Sequence, residues 1–309
     1  MWNNWPLILM MIFYLAGWYF KTRFLGKEKP LQTVLFITDK CNLSCKHCSV
    51  FNHQNPTSKS YAQIKEELQY SYDLGSRFVD FEGGEPTLWH DGDKGLNDLI
   101  DLAKEIGFFT STVTTNAQRP FGWLRANSIW VSMDGIQEFH NAIRGQGTFD
   151  KLVENVQASG HKALSANMVI DANNYVNVAD TLEFVKKTPA FQSIAFNFYT
   201  PAFQKEEDPL ILSWDKRCEI IDYLIAQKRA GAPIMNSRSG LKKMKDLSFK
   251  KVCWMCNYIL PDGTRLNECV GKSYNVCEQC GFCMAGEMRS VMNFCPDTLL
   301  SGLNLRHKN

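Results

Sequence analysis

The octet Cys41-Asn42-Leu43-Ser44-Cys45-Lys46-His47-Cys48 closes an apolar run and spaces three cysteines as C-x3-C-x2-C. Three thiolates at that spacing can hold three corners of a four-iron cluster, which leaves the fourth iron without a protein ligand. An open iron is useful only where something small is meant to bind. The spacing also admits an incomplete zinc site or a structural cluster, but zinc sites usually close with a fourth Cys or His. His47 is at hand, yet beside Cys48 its side chain should point away from the three thiolates.

Strand and helix alternate on the C-terminal side of this loop. Residues 33–38 form a β-rich apolar run that enters the octet, and β-rich segments recur at 77–81, 109–114, 129–132, 164–170 and 193–199. Helical patterns lie between or beside them at 62–74, 94–106, 149–159 and 176–187. That period implies parallel βαβ units, six in number, the repeat from which α/β barrels are built. In such barrels the chemistry gathers at the C-terminal ends of the strands.

The special residues fall at those ends. Gly83-Gly84-Glu85-Pro86 follows the second strand, where two glycines permit close backbone approach and Pro86 fixes the path. Thr115-Asn116 closes the third strand, and Ser132-Met133-Asp134-Gly135 closes the fourth, with Arg144 shortly after. Taken singly, these residues also read as a Gly-rich turn, turn formers and a solvated surface charge. Asp171-Ala172-Asn173-Asn174, after the fifth strand, faces the same end.

The octet and the motifs that follow it, from about residue 32 to residue 200, resemble the radical S-adenosylmethionine (radical SAM) enzymes. The resemblance implies a partial (βα)6 TIM-like barrel with a [4Fe-4S] cluster on Cys41, Cys45 and Cys48. In that family the vacant iron takes the amino and carboxylate groups of SAM. Gly83, Gly84, Glu85 and Pro86 then correspond to the GGEP motif, whose backbone and Glu side chain hold the SAM amino group. His47 occupies a place usually aromatic, against the adenine. Asn116, Ser132 and Asp134 stand where polar groups meet the ribose and methionine parts of SAM, and Arg144 resembles the arginine that pairs with its carboxylate.

Of eleven cysteines, seven crowd into Cys253, Cys256, Cys269, Cys277, Cys280, Cys283 and Cys295. Clustering of this kind reads as ligation in a reducing compartment, and Cys218 reads as a small core residue. Residues 258–263 read as a strand, a turn and a returning strand. A hairpin flanked by cysteines resembles the start of SPASM and twitch extensions, which bind one or two auxiliary [4Fe-4S] clusters. The spacing departs from the SPASM run, so the ligand pairing stays open, and a zinc ribbon is the alternative.

Residues 5–20 carry no charge, and Lys21, Arg23, Lys27 and Lys29 follow. With Trp2, Trp5, Trp18 and Tyr19 at its ends, the run is expected to be a single-pass transmembrane helix with the catalytic domain cytoplasmic. A helix packed on the domain is the alternative. The expected division is an anchor at 1–29, the barrel at 30–212, a helical and basic linker at 213–250 and the Cys-rich region at 251–309. Apart from the anchor, 45% hydrophobic and 21% charged residues are ordinary for a globular chain, and a net charge of +2 argues against nucleic-acid binding.

The resemblance implies reductive cleavage of SAM to a 5′-deoxyadenosyl radical that abstracts hydrogen from a substrate, with a ferredoxin or flavodoxin as electron donor. A peptide is the first substrate class expected, and a membrane lipid or isoprenoid the second. An iron-sulfur electron carrier without catalysis is the reading from another class; it would need neither the GGEP-like turn nor Arg144.

Overall fold

The computed structural model describes residues 5–48, 55–201 and 208–305. Trp2 and most of the acidic loop at 201–209 lie outside these residues. Helix α1 (Trp5–Leu25) precedes β1 (Gln32–Thr38), which runs into the cysteine octet. Then come α2 (Tyr61–Leu74), β2 (Phe78–Gly83), a ribbon of β3 (His90–Asp91) and β4 (Lys94–Gly95), α3 (Leu96–Ile106) and β5 (Thr110–Thr115). The series continues with β6 (Ser128–Ser132), α4 (Glu138–Arg144), α5 (Thr148–Ala158), β7 (Leu164–Ile170), α6 (Val178–Lys187) and β8 (Phe191–Phe198). The last third holds α7 (Trp214–Arg229), α8 (Arg238–Lys243), β9 (Cys256–Ile259), β10 (Arg265–Leu266), α9 (Val270–Ser273), α10 (Met284–Met292) and α11 (Pro296–Leu305).

The main sheet has the order β10-β9-β1-β2-β5-β6-β7-β8, and every neighbouring pair from β9 to β8 is parallel. The six strands β1, β2, β5, β6, β7 and β8 are the expected (βα)6 series, and no ladder joins β8 to β10 among the described residues. The alternation of each strand sorts its side chains between two layers. Leu35, Ile37, Val79, Phe81 and Val113 are fully buried on the helix side. Val34, Phe36, Asp80, Glu82, Thr112 and Thr114 line the lumen instead. The outer face therefore holds the core, and the inner face is rich in hydroxyls and carboxyls. Burial of Ile64 and Leu68 on α2, each contributing about 1.5–3 kcal/mol, fixes that helix over β1 and β2. Its N-terminus is a capping box between Ser60 and Gln63, and Gly75 ends it with φ 125°.

The Cys-rich segment is built into the sheet. β9 pairs in parallel with β1 from Gln32↔Cys256 to Leu35↔Ile259, and β10 returns antiparallel to β9. This is the expected strand, turn and returning strand. At the other edge, Phe198 N donates to Gly281 O at 2.8 Å and Cys283 N to Asn197 Oδ1 at 2.9 Å. A Cβ on Gly281 would stand 2.0 Å from Phe198 O, so only glycine allows this approach.

The N-terminal helix is a correction to the sequence reading. No helix among the described residues is long and apolar enough to cross a membrane. α1 instead lies against the domain: Trp18 Nε1 donates to Lys29 O at 2.8 Å, and Tyr14 Oη donates to Gly75 O. Met11 packs with Phe78 and Phe109, and Trp18 with Val252, Met255 and Met288. The apolar run is short, and Lys21 and Arg23 fall within the same helix. One of its faces is used to cover the barrel, which is the alternative the sequence had left open.

Candidate functional site

β1 delivers Cys41, Cys45 and Cys48 to the C-terminal end of the barrel. The loop is folded by its own backbone: Cys48 N donates to Cys45 O at 3.1 Å, and Lys46 N reaches Ile143 O of α4 at 3.0 Å. Leu43 N stands 3.4 Å from Cys41 Sγ, and Asn116 Nδ2 stands 3.8 Å from the same sulfur. Burial is the first reason that the Cys45 thiol is pushed up to about 11, with Arg144 opposing it.

Gly83 and Gly84 are required by the chain itself. A Cβ on Gly83 would lie 2.3 Å from Thr38 O, and one on Gly84 2.4 Å from Lys40 O. The turn is thus pressed against the strand that enters the cysteine loop, with Gly84 N donating to Thr38 O and Glu85 N to Lys40 O. Pro86 opens one turn of 3-10 helix capped by Glu85. The Glu85 carboxylate is buried and accepts from Thr87 N, Thr87 Oγ1, Thr115 Oγ1 and Asn116 N. With both oxygens occupied, it braces the end of β2 against the end of β5. Oε2 accepts only from Asn116 N among these bonds, so the carboxylate keeps an acceptor site beyond the brace.

The loops after β6 and β7 bring charged groups together. Arg144 Nε donates to Asp134 Oδ2 at 2.6 Å, and Arg144 Nη1 stands 3.9 Å from Cys45 Sγ. His47 Nε2 is 3.5 Å from the same carboxylate oxygen, and Val169 N donates to Asp134 Oδ1. Burial works to raise the Asp134 carboxyl, but Arg144 and then His47 outweigh it and hold it below its ordinary value. Burial lowers the His47 imidazole below its ordinary value, with Asp134 opposing, and takes His140 down to about 3. Asp134 N donates to His140 Nδ1 at 3.3 Å. His140 was not singled out from sequence, although it precedes Arg144 by four residues on one helix face.

Asn116 reaches Asn42 Oδ1 at 2.7 Å, so it touches the cysteine loop directly. Ser132 ends β6 and is half-buried. Asp171 Oδ1 accepts from Asn173 N and Asn174 N, while Asn174 Nδ2 donates to Asp134 O. Asp171 Oδ2 and His47 Nδ1 are buried and have no hydrogen-bond partner among the described residues, as is also true of His140 Nε2. Buried polar atoms are rarely left this way, and such a pair beside three thiols fits a polar ligand.

The remaining cysteines separate into groups. Cys253, Cys256, Cys269, Cys277 and Cys280 line one wall of a cavity of about 510 Å³ that fills the lumen. Cys253 and Cys269 share a hydrogen bond, which pushes the Cys253 thiol up and holds Cys269 below its ordinary value. Cys277 and Cys280 lie within electrostatic reach of Cys253. Cys283 is packed in the main core, and Cys295 ends the turn after α10 without lining the cavity. Among the described residues no group of three is gathered closely enough to hold a single metal ion. The four thiols Cys253, Cys269, Cys277 and Cys280 border a shared space.

Sequence reading missed two more residues. Arg217 is buried, donates to Met244 O and Cys280 O, and lies over the Phe198 and Trp214 rings. Glu82 lines the cavity opposite the cysteines, with Thr114 Oγ1 donating to its Oε1 at 2.6 Å. Burial pushes the Glu82 carboxyl up to about 8. Strand alternation marks Glu82 as lumen-facing once Phe81 is placed in the core; nothing local marks Arg217.

An open parallel barrel with a three-cysteine loop at its mouth defines the class. Residues 35–185, just under half of the chain, match the model of the radical SAM superfamily and form a radical SAM domain. The mycofactocin maturase MftC of Mycobacterium tuberculosis is 29% identical over 160 residues, covering 48% of this chain and 40% of that protein. The GTP 3′,8-cyclase of Photorhabdus laumondii is 29% identical over 171 residues, covering 50% of this chain and 51% of that protein. The matches thus span about half the length of these relatives or less. Among solved structures, Streptococcus suis SuiB bound to its precursor peptide SuiA superposes with a TM-score of 0.64 at 16% identity, covering 100% of this chain and 73% of that one. The enzyme anSMEcpe with bound AdoMet gives 0.59 at 18% identity, covering 76% and 73%. These likenesses show the fold. The superfamily uses a [4Fe-4S] cluster and SAM, and the loop thiols together with Asp171 Oδ2 and His47 Nδ1 fit that pair.

Proposed function

We propose that this chain is a radical SAM enzyme that modifies a peptide held in the barrel lumen. Cys41, Cys45 and Cys48 would hold the first cluster, with SAM against His47, Asn116, Ser132, Asp134, Arg144 and Asp171. When bound and reduced, by a donor such as a ferredoxin or flavodoxin, that pair supplies a 5′-deoxyadenosyl radical able to abstract hydrogen from carbon. The chain's own residues orient the reactants and exclude water. Arg144 sets a fixed positive charge beside Cys45, and Glu85 locks the turn that frames the loop.

The observation that carries this reading is the cavity. Its lining includes Glu82 and Thr114, next in sequence to Gly83 and just before Thr115-Asn116, and Cys253, Cys269, Cys277 and Cys280. A substrate there would sit between two sulfur-rich sites, the second suited to one auxiliary cluster that takes an electron from the substrate. Maturases and a peptide-bound neighbour among the similar proteins support a peptide, and the polar lumen offers partners for amide groups.

Anaerobically reconstituted, reduced protein should form 5′-deoxyadenosine and methionine from SAM. Peptides digested from a uniformly deuterated lysate should pass deuterium into the 5′-deoxyadenosine. Absence of 5′-deoxyadenosine would overturn the enzyme reading in favour of an electron carrier. Its formation with no deuterium from any peptide fraction would overturn the peptide.

A further inference from the structure

Helix α1 is apolar all round, yet only one face meets protein. Met11, Trp18 and Thr22 are buried against the barrel and the Cys-rich region. At 3.6 residues per turn, Leu9, Phe13, Phe20 and Phe24 stand on the opposite seam. That seam is bare, with Phe13 73% and Phe24 66% exposed. Scattered exposed apolar residues need no explanation, but an apolar stripe four turns long does.

Two further features adjoin the stripe. Exposed Lys21 and Arg23 flank it on either side, Lys27 and Lys29 follow, and Glu28 is the sole acid between residues 5 and 30. Beyond Tyr19, the ring of Phe294 continues the apolar surface, with centroids 5.6 Å apart. Phe294 ends α10 in the left-handed region at φ 57°, a position that usually falls to glycine, and is 62% exposed. Its ring meets Tyr19 on one side and is otherwise held in solvent by a strained backbone.

We propose that α1 lies in the plane of an anionic lipid surface, with Phe13, Phe20, Phe24 and Phe294 set among the acyl chains and Lys21, Arg23 and Lys27 at the headgroups. An apolar protein partner would leave this basic fringe unmatched, whereas anionic headgroups complement it at the same depth. The long stems of Lys21 and Arg23 let the charges rise while the seam stays buried. The buried face keeps the barrel docked, so the helix joins the domain to the surface without crossing it.

Flotation of the reconstituted full chain tests this, using vesicles of phosphatidylcholine with or without phosphatidylglycerol. The wild type should float with the anionic vesicles, less so in high salt. Phe13→Glu/Phe20→Glu/Phe24→Glu should reduce the bound fraction at least ~10-fold, with the near-UV spectrum unchanged because these rings touch no core. Lys21→Glu/Arg23→Glu/Lys27→Glu should abolish the preference for phosphatidylglycerol. Failure of the wild type to float, or equal flotation of the Phe variant, overturns the proposal. So does a wild-type dimer that the Phe variant splits with no vesicle binding, which would assign the seam to a second copy.

Discussion

Arg144 Nε lies 2.6 Å from Asp134 Oδ2, in a pocket where the aspartate is fully buried and the arginine nearly so. The same guanidinium faces Cys45, so its charge is shared between a carboxylate and the sulfur of the loop. The arginine expected to meet a ligand carboxylate thus already has a carboxylate of its own.

Removing one partner of a buried pair leaves the other uncompensated, which typically costs 3–5 kcal/mol. Arg144→Ala should therefore lower the melting temperature clearly more than Asp134→Asn/Arg144→Met, which removes both charges. Calorimetry on the three proteins gives the order. Arg144→Lys should keep part of the stability yet weaken SAM binding, since a point charge cannot replace the planar fork.

Gly84→Ala should cost about 1–3 kcal/mol and release iron from the first site, because its Cβ would meet backbone oxygens at 2.4 and 2.5 Å that no rotamer can move. Gly147→Ala is the control: it has open space around it, and its only penalty is a φ of 76°. Iron content after anaerobic reconstitution should fall for the first and hold for the second.

Wild-type protein should take up clearly more than about four irons per chain, the content of one cluster. Cys41→Ala/Cys45→Ala/Cys48→Ala and Cys253→Ala/Cys269→Ala should each remove a separate share, and Cys295→Ala should remove none. Arg217→Ala should cost the second share selectively, because Cys280 O would lose a charged donor worth about 1.5–3 kcal/mol. Iron and labile sulfide assays on each variant distinguish these outcomes.

Glu82 gives a pH dependence of definite sign. Its folded value of about 8 lies above the ordinary 4.5, so between the two the folded chain keeps a proton that the unfolded chain releases. Stability must then fall as pH rises across that window, by at most about 1.4 kcal/mol per unit, and less to the extent that the cavity is wet. Glu82→Gln removes this slope, so its melting temperature should gain on the wild type from pH 5 towards roughly pH 8. Parallel curves for the two proteins would show that Glu82 is ionised throughout.

The strand series and the cysteine loop were legible because their signals are local: alternation within β7, three thiols within eight residues, glycines directly after Phe81. The Glu85 brace was not, since its partners Thr115 and Asn116 arrive from a strand 30 and 31 residues away. Parallel pairing of β9 with β1 leaves no turn in the sequence to announce it. Cys256, Cys277 and Cys283 look alike in spacing, and only packing against Arg217 and Phe198 sends Cys283 into the core. The orientation of α1 failed for a different reason: a helix apolar on every side carries no periodicity that tells a span from a helix half covered by its own domain.

The β1–β9 ladder also sets an order of events during synthesis. Thr33 Oγ1 shares its hydrogen with Asn257 Oδ1 across 224 residues of chain, and Ser76 meets the same atom across 181. Until the ribosome has released residues 256–259, β1 carries an unpaired edge and these two hydroxyls have no Asn257 to meet. A nascent chain therefore holds its first three cysteines on a strand with one open edge until residues 256–259 emerge. Iron delivered earlier meets a sheet that still lacks the β9 ladder.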